Sequence, residues 1–276
     1  MHLIGVKFEG QKSVPISINT VAFYIGHLQS NGYAPASITS YVTAISYIHR
    51  ISLFPDPTNN TLIQRLLAGA NKLSPSHDAR LPITLIMLQR LSRALDKTVS
   101  SYYNRLLYRA MFVSAFFGLF RIGELTTDVK GVVALCSDQI EISRTHVQIT
   151  IRHFKHNDKR EPMDLILPKQ DDDLICPVQC LLEYLKLRGE SKGPLFCFPG
   201  GKVVSRDLFA RILKETLIFC GINIKLYKAH SFRIGAASWY ASRGCSDAQI
   251  RMLGRWKSDA FKRYIRCARL LLAMSS

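Results

Sequence analysis

The stretch AHSFRIGAASWYA at residues 229–241 is the part of this sequence that decides its fold. Its small residues predict a helix, and a spacing of three puts His230 and Arg233 on one face where that helix begins. The tetrapeptide FRIG also occurs earlier, within GLFRIGELT at 118–126. The flanking sequences differ, and a repeat architecture needs at least three similar units at a fixed period. The two copies therefore indicate that Arg121 and Arg233 are delivered to one site.

Charge restricts the partners of the chain. The sequence has 276 residues, a formal net charge of +17 and an isoelectric point near 9.8. From Lys225 to Ser276 it contains eleven basic and two acidic residues. Such an uneven basic surface is typical of proteins that bind a polyanion, most often nucleic acid. The alternative is a basic surface that only keeps the protein soluble.

The sequence predicts an intracellular protein without a membrane segment, a metal or another cofactor. MHLIGVKFEGQK lacks the basic start, apolar core and cleavage site of a secretory signal. The longest apolar run, at 110–120, is too short to cross a bilayer. The seven cysteines are scattered and odd in number, which favours reduced thiols. A zinc site built from Cys176, Cys180 and the His153-x2-His156 pair would match no standard spacing.

The first part of the chain is predicted to be a small helical domain. Apolar residues recur at helical spacing between 21 and 28 and again between 38 and 48. A third helix is predicted over 61–73, with these leucines facing inward: Leu62, Leu66 and Leu73. The polar segment LSPSHDARLP, with prolines near both ends, predicts a linker. We expect domains at 1–76 and 80–276.

The second part is predicted to mix helices and strands. Helices are expected near 84–96 and 102–119, and strands within 139–168. HVQITIRHFK alternates and is rich in β-branched residues, and PMDLILP reads as its partner strand. The polar turn between them makes a hairpin with Lys155 at its tip. Mainly helices follow to the end of the chain, so the predicted fold class is mainly α with a small β-sheet.

Residues with useful chemistry follow one another in a defined order along this second part. Glu124 lies three residues after Arg121, where its carboxylate can orient the guanidinium. LGRWKSDAFKRYIR is predicted to carry Trp256 and Tyr264 on consecutive short helices. Each residue is weak evidence alone, because such a tyrosine on an amphipathic helix is more often part of the core. These residues together, in their order along the chain, indicate a functional site: Arg121, Glu124, Lys155, His230, Arg233, Trp256, Tyr264.

This ordered set resembles the tyrosine recombinases, also called the phage integrase family, over essentially the whole chain. GLFRIGELT is similar to the segment with the first catalytic arginine, AHSFRIG to the segment with the histidine and second arginine, and LGRW to the position that is His or Trp. The phrasing HSFRIGAA…LGRW…YIR is most similar to recombinases of DIRS/Ngaro-type retroelements. The resemblance implies an N-terminal helical core-binding domain, which clamps DNA, and an α+β tyrosine-recombinase catalytic domain.

The resemblance also implies a role for each residue. The two arginines bind the non-bridging oxygens of a phosphodiester, and Glu124 supports them. His230 and Trp256 add donors and packing at the same phosphate, and Lys155 protonates the departing 5′ oxygen. Tyr264 forms a 3′-phosphotyrosyl link, so strands are rejoined without ATP or metal. The implied catalytic residues are Arg121, Lys155, His230, Arg233, Trp256 and Tyr264.

The implied partner is double-stranded DNA, bound by a homo-oligomer that forms a tetramer on paired sites. The expected location is the nucleus for a eukaryotic element, and otherwise the cytoplasm with its DNA. Candidate DNA contacts are Ser37, Ser40, Arg50, Arg255 and Lys257. Two alternatives stay open: a type IB topoisomerase-like enzyme that relaxes supercoils, and a domesticated DNA-binding protein that no longer exchanges strands. The tail ARLLLAMSS either docks on a neighbouring protomer or completes the core of its own domain.

Overall fold

The computed structural model divides the chain into two compact units, Met1–Asp78 and Ala79–Ser276. Each unit buries a hydrophobic core of its own. The structure describes these residues: 14–73, 79–126, 134–154 and 161–265.

The described part of the first unit is a small bundle of helices. Ser17 caps the first helix by accepting a hydrogen bond from the amide of Thr20. Pro35 opens the second helix, where its missing N–H would have no partner in any case. Turns of the three helices pack around Val21, Ile38 and Ile63. The helices are α1 (Ile18–Ser30), α2 (Pro35–Ile51) and α3 (Thr61–Leu73), with a 3-10 turn at Pro57–Asn59 before α3.

The predicted inward face of α3 is wrong. Ile63 and Ala70 are buried, whereas Leu62 is 46% exposed and Leu73 is 75% exposed. Leu66 is half-buried against the core. With 3.6 residues per turn, adjacent side chains point about 100° apart. Because Ile63 and not its neighbour Leu62 lies on the buried face, the observed face is rotated by one residue from the predicted one.

Buried polar groups connect the elements of the first unit. His49 is fully buried; its Nδ1 donates to the carbonyl of Ile45 at 2.9 Å, and its Nε2 accepts from the amide of Ile16 at 2.9 Å. Asp56 accepts from the hydroxyls of Ser46 at 2.5 Å and Thr58 at 2.7 Å. These bonds fix the segment before α1 and the turn before α3 onto α2.

A buried helix forms the centre of the second unit. Every residue from 106 to 117 except Arg109 is buried, as expected for a helix that is apolar on all sides. This helix, α5, and the one before it match the predicted helices near 84–96 and 102–119. The helices are α4 (Leu85–Thr98), α5 (Tyr102–Phe117), α6 (Ile122–Leu125), α7 (Pro177–Arg188), α8 (Arg206–Phe219), α9 (His230–Ser242) and α10 (Asp247–Leu253).

The predicted hairpin strands belong to an antiparallel sheet with the order β1-β2-β3. In the pairing of β2 with β3, His146 lies opposite Pro168 and Ile151 opposite Met163. Alternate residues of β2 are buried, which is the pattern of a strand with one face on the core. The predicted tip with Lys155 lies outside the described residues. The strands are β1 (Ile140–Ile142), β2 (His146–Ile151) and β3 (Met163–Pro168).

A close backbone approach fixes α9 in the second unit. The amide of Ile83 donates to the carbonyl of Ser231 at 3.0 Å. A Cβ atom on Gly235 would lie 1.8 Å from the carbonyl oxygen of Ile83, so this position excludes a side chain. The glycine of the second FRIG copy thus lets α9 lie directly against the chain that leads into α4.

The architecture confirms the predicted fold class, mainly α with a small β-sheet. Within the part of the chain that the structure describes, no helix is both long enough and apolar enough to cross a bilayer.

Candidate active site

Arg121 lies immediately before α6 and is held by Glu124. The backbone N–H of Arg121 donates to Oε2 of Glu124 at 2.9 Å, and its Nη1 donates to Oε1 at 3.2 Å. One short turn of helix brings the carboxylate back to the arginine that precedes it. The side chain of Arg121 is 27% exposed. Its guanidinium is therefore fixed at one end and accessible from solvent.

Arg233, in the second FRIG copy, is only 1% exposed. Its Nη1 donates to the carbonyl of Leu119 and its Nη2 to the carbonyl of Gly254. The ring centre of Trp256 lies 4.0 Å from its Cζ atom, a cation–π contact. Burial, followed by the charges of Arg121 and Arg255, lowers the pKa of Arg233 to about 9. Arg233 therefore remains charged at neutral pH and lies close enough to both arginines to be repelled by them.

Arg255 is a correction to the sequence prediction, which made it a DNA contact. Its side chain is 0% exposed, and its Nη2 donates to Oε2 of Glu124 at 2.9 Å. The same nitrogen donates to the carbonyl of Leu119 at 3.1 Å, and Nη1 donates to the carbonyl of Leu253 at 3.1 Å. Burial is the main cause that lowers the pKa of Arg255. A guanidinium bonded in this way inside the unit does not reach DNA.

Aromatic rings surround Tyr264, which is half-buried at the end of a 3-10 helix, Asp259–Tyr264. Its ring centre lies 5.0 Å from that of His230 and 5.2 Å from that of Trp256. The hydroxyl of Ser238 on α9 donates to the carbonyl of Tyr264 at 3.1 Å. Trp256 itself lies beyond the end of α10 rather than on a short helix, which corrects that part of the prediction.

The structure thus brings most of the ordered set into one cluster of the second unit. Arg121, Arg233 and Arg255 are called here the arginine cluster. Arg121 and Arg255 bond to the carboxylate of Glu124, and Arg233 lies within range of its charge. His230, Trp256 and Tyr264 lie on the side of Arg233. Lys155 lies outside the described residues. The cluster has an excess of positive charge, which suits an oxyanion.

The other predicted DNA contacts have varied surroundings. On α2, Ser40 is exposed and its hydroxyl donates to the carbonyl of Ala36 at 2.9 Å, while Ser37 is half-buried. Arg50 is exposed, with Nη2 donating to the Ser46 hydroxyl at 2.7 Å. Lys257 is exposed in the second unit. Their contacts with DNA stay predictions.

Sequence reasoning missed Arg206, the first residue of α8. Its Nη2 lies 2.6 Å from the position that a Cβ atom on Gly123 would take. The guanidinium of Arg206 therefore lies against α6 at Gly123. In the sequence, only the glycine of the first FRIG copy could have indicated this contact, because Arg206 lies far from Gly123 along the chain.

Metal ligation has no support among the residues that the structure describes. No group of three or more His, Cys, Asp or Glu side chains there is arranged to hold an ion. The arginine cluster with the carboxylate of Glu124 is a set that binds anions rather than cations.

Comparison with known proteins finds similarity in structure. No protein-family model matches the sequence, and no curated protein matches it. The chain is similar to the XerH site-specific recombinase bound to a palindromic difH substrate in a post-cleavage complex, with a TM-score of 0.67 and 18% identity over 94% of this chain and 71% of that one.

Two further solved structures cover similar shares of the chain. A lambda integrase dimer bound to a COC′ core site matches with a TM-score of 0.60 and 15% identity, over 92% of this chain and 66% of that one. The Tn1549 transposon integrase in complex with transposon right end DNA matches with a TM-score of 0.62 and 12% identity, over 96% and 85%. At these identities the likeness shows the fold, which is that of the tyrosine recombinase catalytic domain with a helical unit before it.

Proposed function

We propose that this protein is a site-specific DNA recombinase or integrase that cuts and rejoins DNA strands through a 3′-phosphotyrosyl intermediate at Tyr264. The observation that carries the proposal is that His230 and Trp256 lie against that tyrosine, while Arg233 stacks on Trp256 within range of the charge of Arg121. The fold supports it, because this arrangement lies on a chain similar to recombinases and integrases solved with DNA.

The arginine cluster supplies charge where a phosphodiester gathers it during attack. Arg121 is the most accessible member, so its guanidinium would contact a non-bridging oxygen directly. A guanidinium has five N–H groups, and the bonds from Arg233 to Leu119 and Gly254 use two of them. The remaining donors of Arg233 would face the phosphate beside Trp256. Preorganised donors of this kind lower the barrier because they need no rearrangement during the reaction.

Tyr264 would provide the nucleophile. Its phenolic oxygen forms a bond to phosphorus while the bond from phosphorus to the 5′ oxygen breaks, and the phenolic proton passes to a base, for which His230 is adjacent. The departing 5′ oxygen takes a proton from a general acid, which we propose to be Lys155. The phosphotyrosyl bond conserves the energy of the broken bond, so a 5′ hydroxyl can reverse the step.

Other features of the proposed function follow from the resemblance to tyrosine recombinases. We propose double-stranded DNA as substrate, a tetramer on paired sites, and an origin in a DIRS/Ngaro-type element with action in the nucleus. The basic excess between Lys225 and Ser276 supports the DNA partner.

The experiment that tests the function is covalent trapping. The protein is incubated with a library of nicked duplexes of random sequence, in which a short 5′ fragment diffuses away after attack. Wild type should form a protein–DNA adduct that survives denaturation, and Tyr264→Phe should form none while still binding DNA, because the substitution removes only the phenolic oxygen. Tyr102→Phe, at an exposed tyrosine of α5, is the control and should react as wild type does.

Peptide mapping identifies the attacked residue. Tyr240 on α9 is a poor candidate, since it is buried and its hydroxyl donates to the carbonyl of Phe117 at 2.8 Å. An adduct on a residue other than Tyr264 would refute the assignment. Binding without any adduct would favour the domesticated DNA-binding protein, and relaxation of a plasmid without paired sites would favour the topoisomerase-like enzyme.

A further inference from the structure

We propose that Arg255 is a positioning residue that joins the two arginine-bearing segments of the site and sets the orientation of Arg121. Its consequence for strand cleavage rests on the proposed function; its consequence for oxyanion binding does not. Arg255 follows Gly254 with a φ of 55°, and its fully buried guanidinium lies between those segments.

The first link runs through Glu124. Oε2 of this carboxylate accepts from Nη2 of Arg255 at 2.9 Å and from the backbone N–H of Arg121 at 2.9 Å. Oε1 accepts from Nη1 of Arg121 at 3.2 Å. Arg255 therefore holds the carboxylate that holds the accessible guanidinium. Without Arg255, Glu124 could rotate, and Arg121 would lose its fixed direction.

The second link runs through the carbonyl of Leu119. This oxygen accepts from Nη2 of Arg255 at 3.1 Å and also from Nη1 of Arg233. Leu119 has a φ of 44°, a left-handed conformation that is unfavourable for leucine. The backbone at Leu119, which directs this carbonyl toward both arginines, is therefore strained, and the two guanidiniums stabilise this conformation. Within the arginine cluster, Arg255 therefore bonds both to Glu124, the partner of Arg121, and to the carbonyl of Leu119, a partner of Arg233.

The glycine of the LGRW motif lets the side chains of Arg255 and Trp256 take different directions. A Cβ atom on Gly254 would lie 1.5 Å from the ring of Trp256, so the glycine lets that ring fold back. The ring then covers Arg233, while Arg255 points toward Glu124. The planar fork of arginine supplies several donors in fixed directions, which lysine does not.

The opposing interpretation is that Arg255 only stabilises the fold. The same unit offers a matched control in Arg109 on α5, which donates to Asp96 at 2.8 Å and to the carbonyl of Ser92 at 3.4 Å. Its side chain is also largely buried and paired with a carboxylate. A purely structural role predicts that Arg255→Met and Arg109→Met lower the melting temperature and change little else.

The first test uses inorganic phosphate, without DNA. At constant ionic strength, phosphate should raise the melting temperature of wild type and of Arg109→Met, because it binds the arginine cluster. Arg255→Met should lose most of that rise. If Arg255→Met does not fold, Arg255→Lys and Glu124→Gln replace it, and both should show the same loss. A phosphate effect in these variants equal to that of the control would overturn the proposal.

The second test is a double-mutant cycle in cleavage of the nicked duplex at saturating DNA. Arg255→Met should lower the cleavage rate constant by about 10-fold to 100-fold, the range found when a residue that orients a metal ligand is removed, with DNA affinity nearly unchanged. In the Arg121→Ala background it should have little further effect, since the group that it positions is gone. Independent, multiplicative losses would overturn the proposal.

The two tests separate this proposal from the proposed function. A wild type that forms no adduct, yet has a phosphate response that Arg255→Met abolishes, would refute strand cleavage and support the positioning role. A wild type that neither forms an adduct nor responds to phosphate would overturn both.

Discussion

Arg121 and Arg233 occupy the same tetrapeptide in different surroundings. The first is partly accessible and held by a carboxylate, whereas the second is buried and bonded to carbonyls of two distant segments. The sequence could predict that both belong to one site, because the ordered set of residues required it. It could not predict that Arg255 is buried beside them, since that depends on the left-handed turn after α10.

This difference predicts different costs of removing each arginine. Arg121→Ala should lower the cleavage rate constant about 10²-fold to 10³-fold, as for the loss of one oxyanion donor. Its free energy of unfolding should change by less than about 1 kcal/mol, because the ion pair that it loses is partly exposed. Urea unfolding and single-turnover cleavage measure the two quantities.

Arg233→Ala should lower both quantities. It removes a donor from the carbonyls of Leu119 and Gly254. The Leu119 oxygen keeps its bond from Arg255, whereas the buried Gly254 oxygen is left unpaired, which costs about 1–3 kcal/mol. An Arg233→Ala variant as stable as Arg121→Ala would contradict the buried position of this guanidinium.

The glycines of the two FRIG copies, Gly123 and Gly235, should differ in how much stability the protein loses when each is replaced by alanine. Gly235→Ala should destabilise the protein by at least about 1–3 kcal/mol, because the new methyl group meets the carbonyl of Ile83 and the backbone must shift. Gly123→Ala is the control: its methyl group meets only the end of the Arg206 side chain, which can move, so the free energy of unfolding should stay within about 0.5 kcal/mol. Equal losses in the two variants would be inconsistent with the backbone contact.

At the scale of elements, alternation and periodicity predicted whether a segment is a helix or a strand better than they predicted which of its faces is buried. The strand β2 follows from alternating apolar residues, β3 from an apolar segment after a polar turn, and α5 from a long apolar run. The face of α3 was missed, because leucines lie on several sides of it and the bundle buries Ile63 and Ala70 instead. Which side of such a helix is buried depends on neighbours that periodicity does not identify.

The turn before α3 predicts a pH dependence of stability. Burial alone would raise the pKa of Asp56, but hydrogen bonds from Ser46 and Thr58 and the charge of Arg50 together lower it below its ordinary 3.8. A carboxyl whose pKa is lowered in the folded state contributes stability that is present above the unfolded pKa. That contribution is lost as the pH falls through the folded pKa.

The measurement compares wild type with Asp56→Asn. The difference in their free energies of unfolding should be constant above about pH 5 and should shrink toward about pH 3, as the carboxyl of the wild type becomes protonated. A difference that does not change over this range would show that Asp56 has no such role.

At the scale of the whole molecule, the net charge of +17 predicts a DNA complex that weakens steeply with salt. Each neutralised phosphate releases counterions, so a complex with about six to ten phosphate contacts should lose about 10³-fold to 10⁵-fold in affinity between about 50 and 200 mM salt. Lys257→Gln should reduce the slope of log K against log salt by about one. A slope near zero in wild type would exclude a mainly electrostatic complex.

The stacking of Trp256 on Arg233 also gives the protein an internal optical reporter. The sequence contains only two tryptophans, and the other, Trp239, packs against Phe117 on α5. In a Trp239→Phe background, the fluorescence of the protein would come from the indole that lies against a cation and beside Tyr264. Its emission would therefore respond to whatever anion occupies the arginine cluster, and stopped-flow mixing could follow the arrival of DNA before any bond is broken.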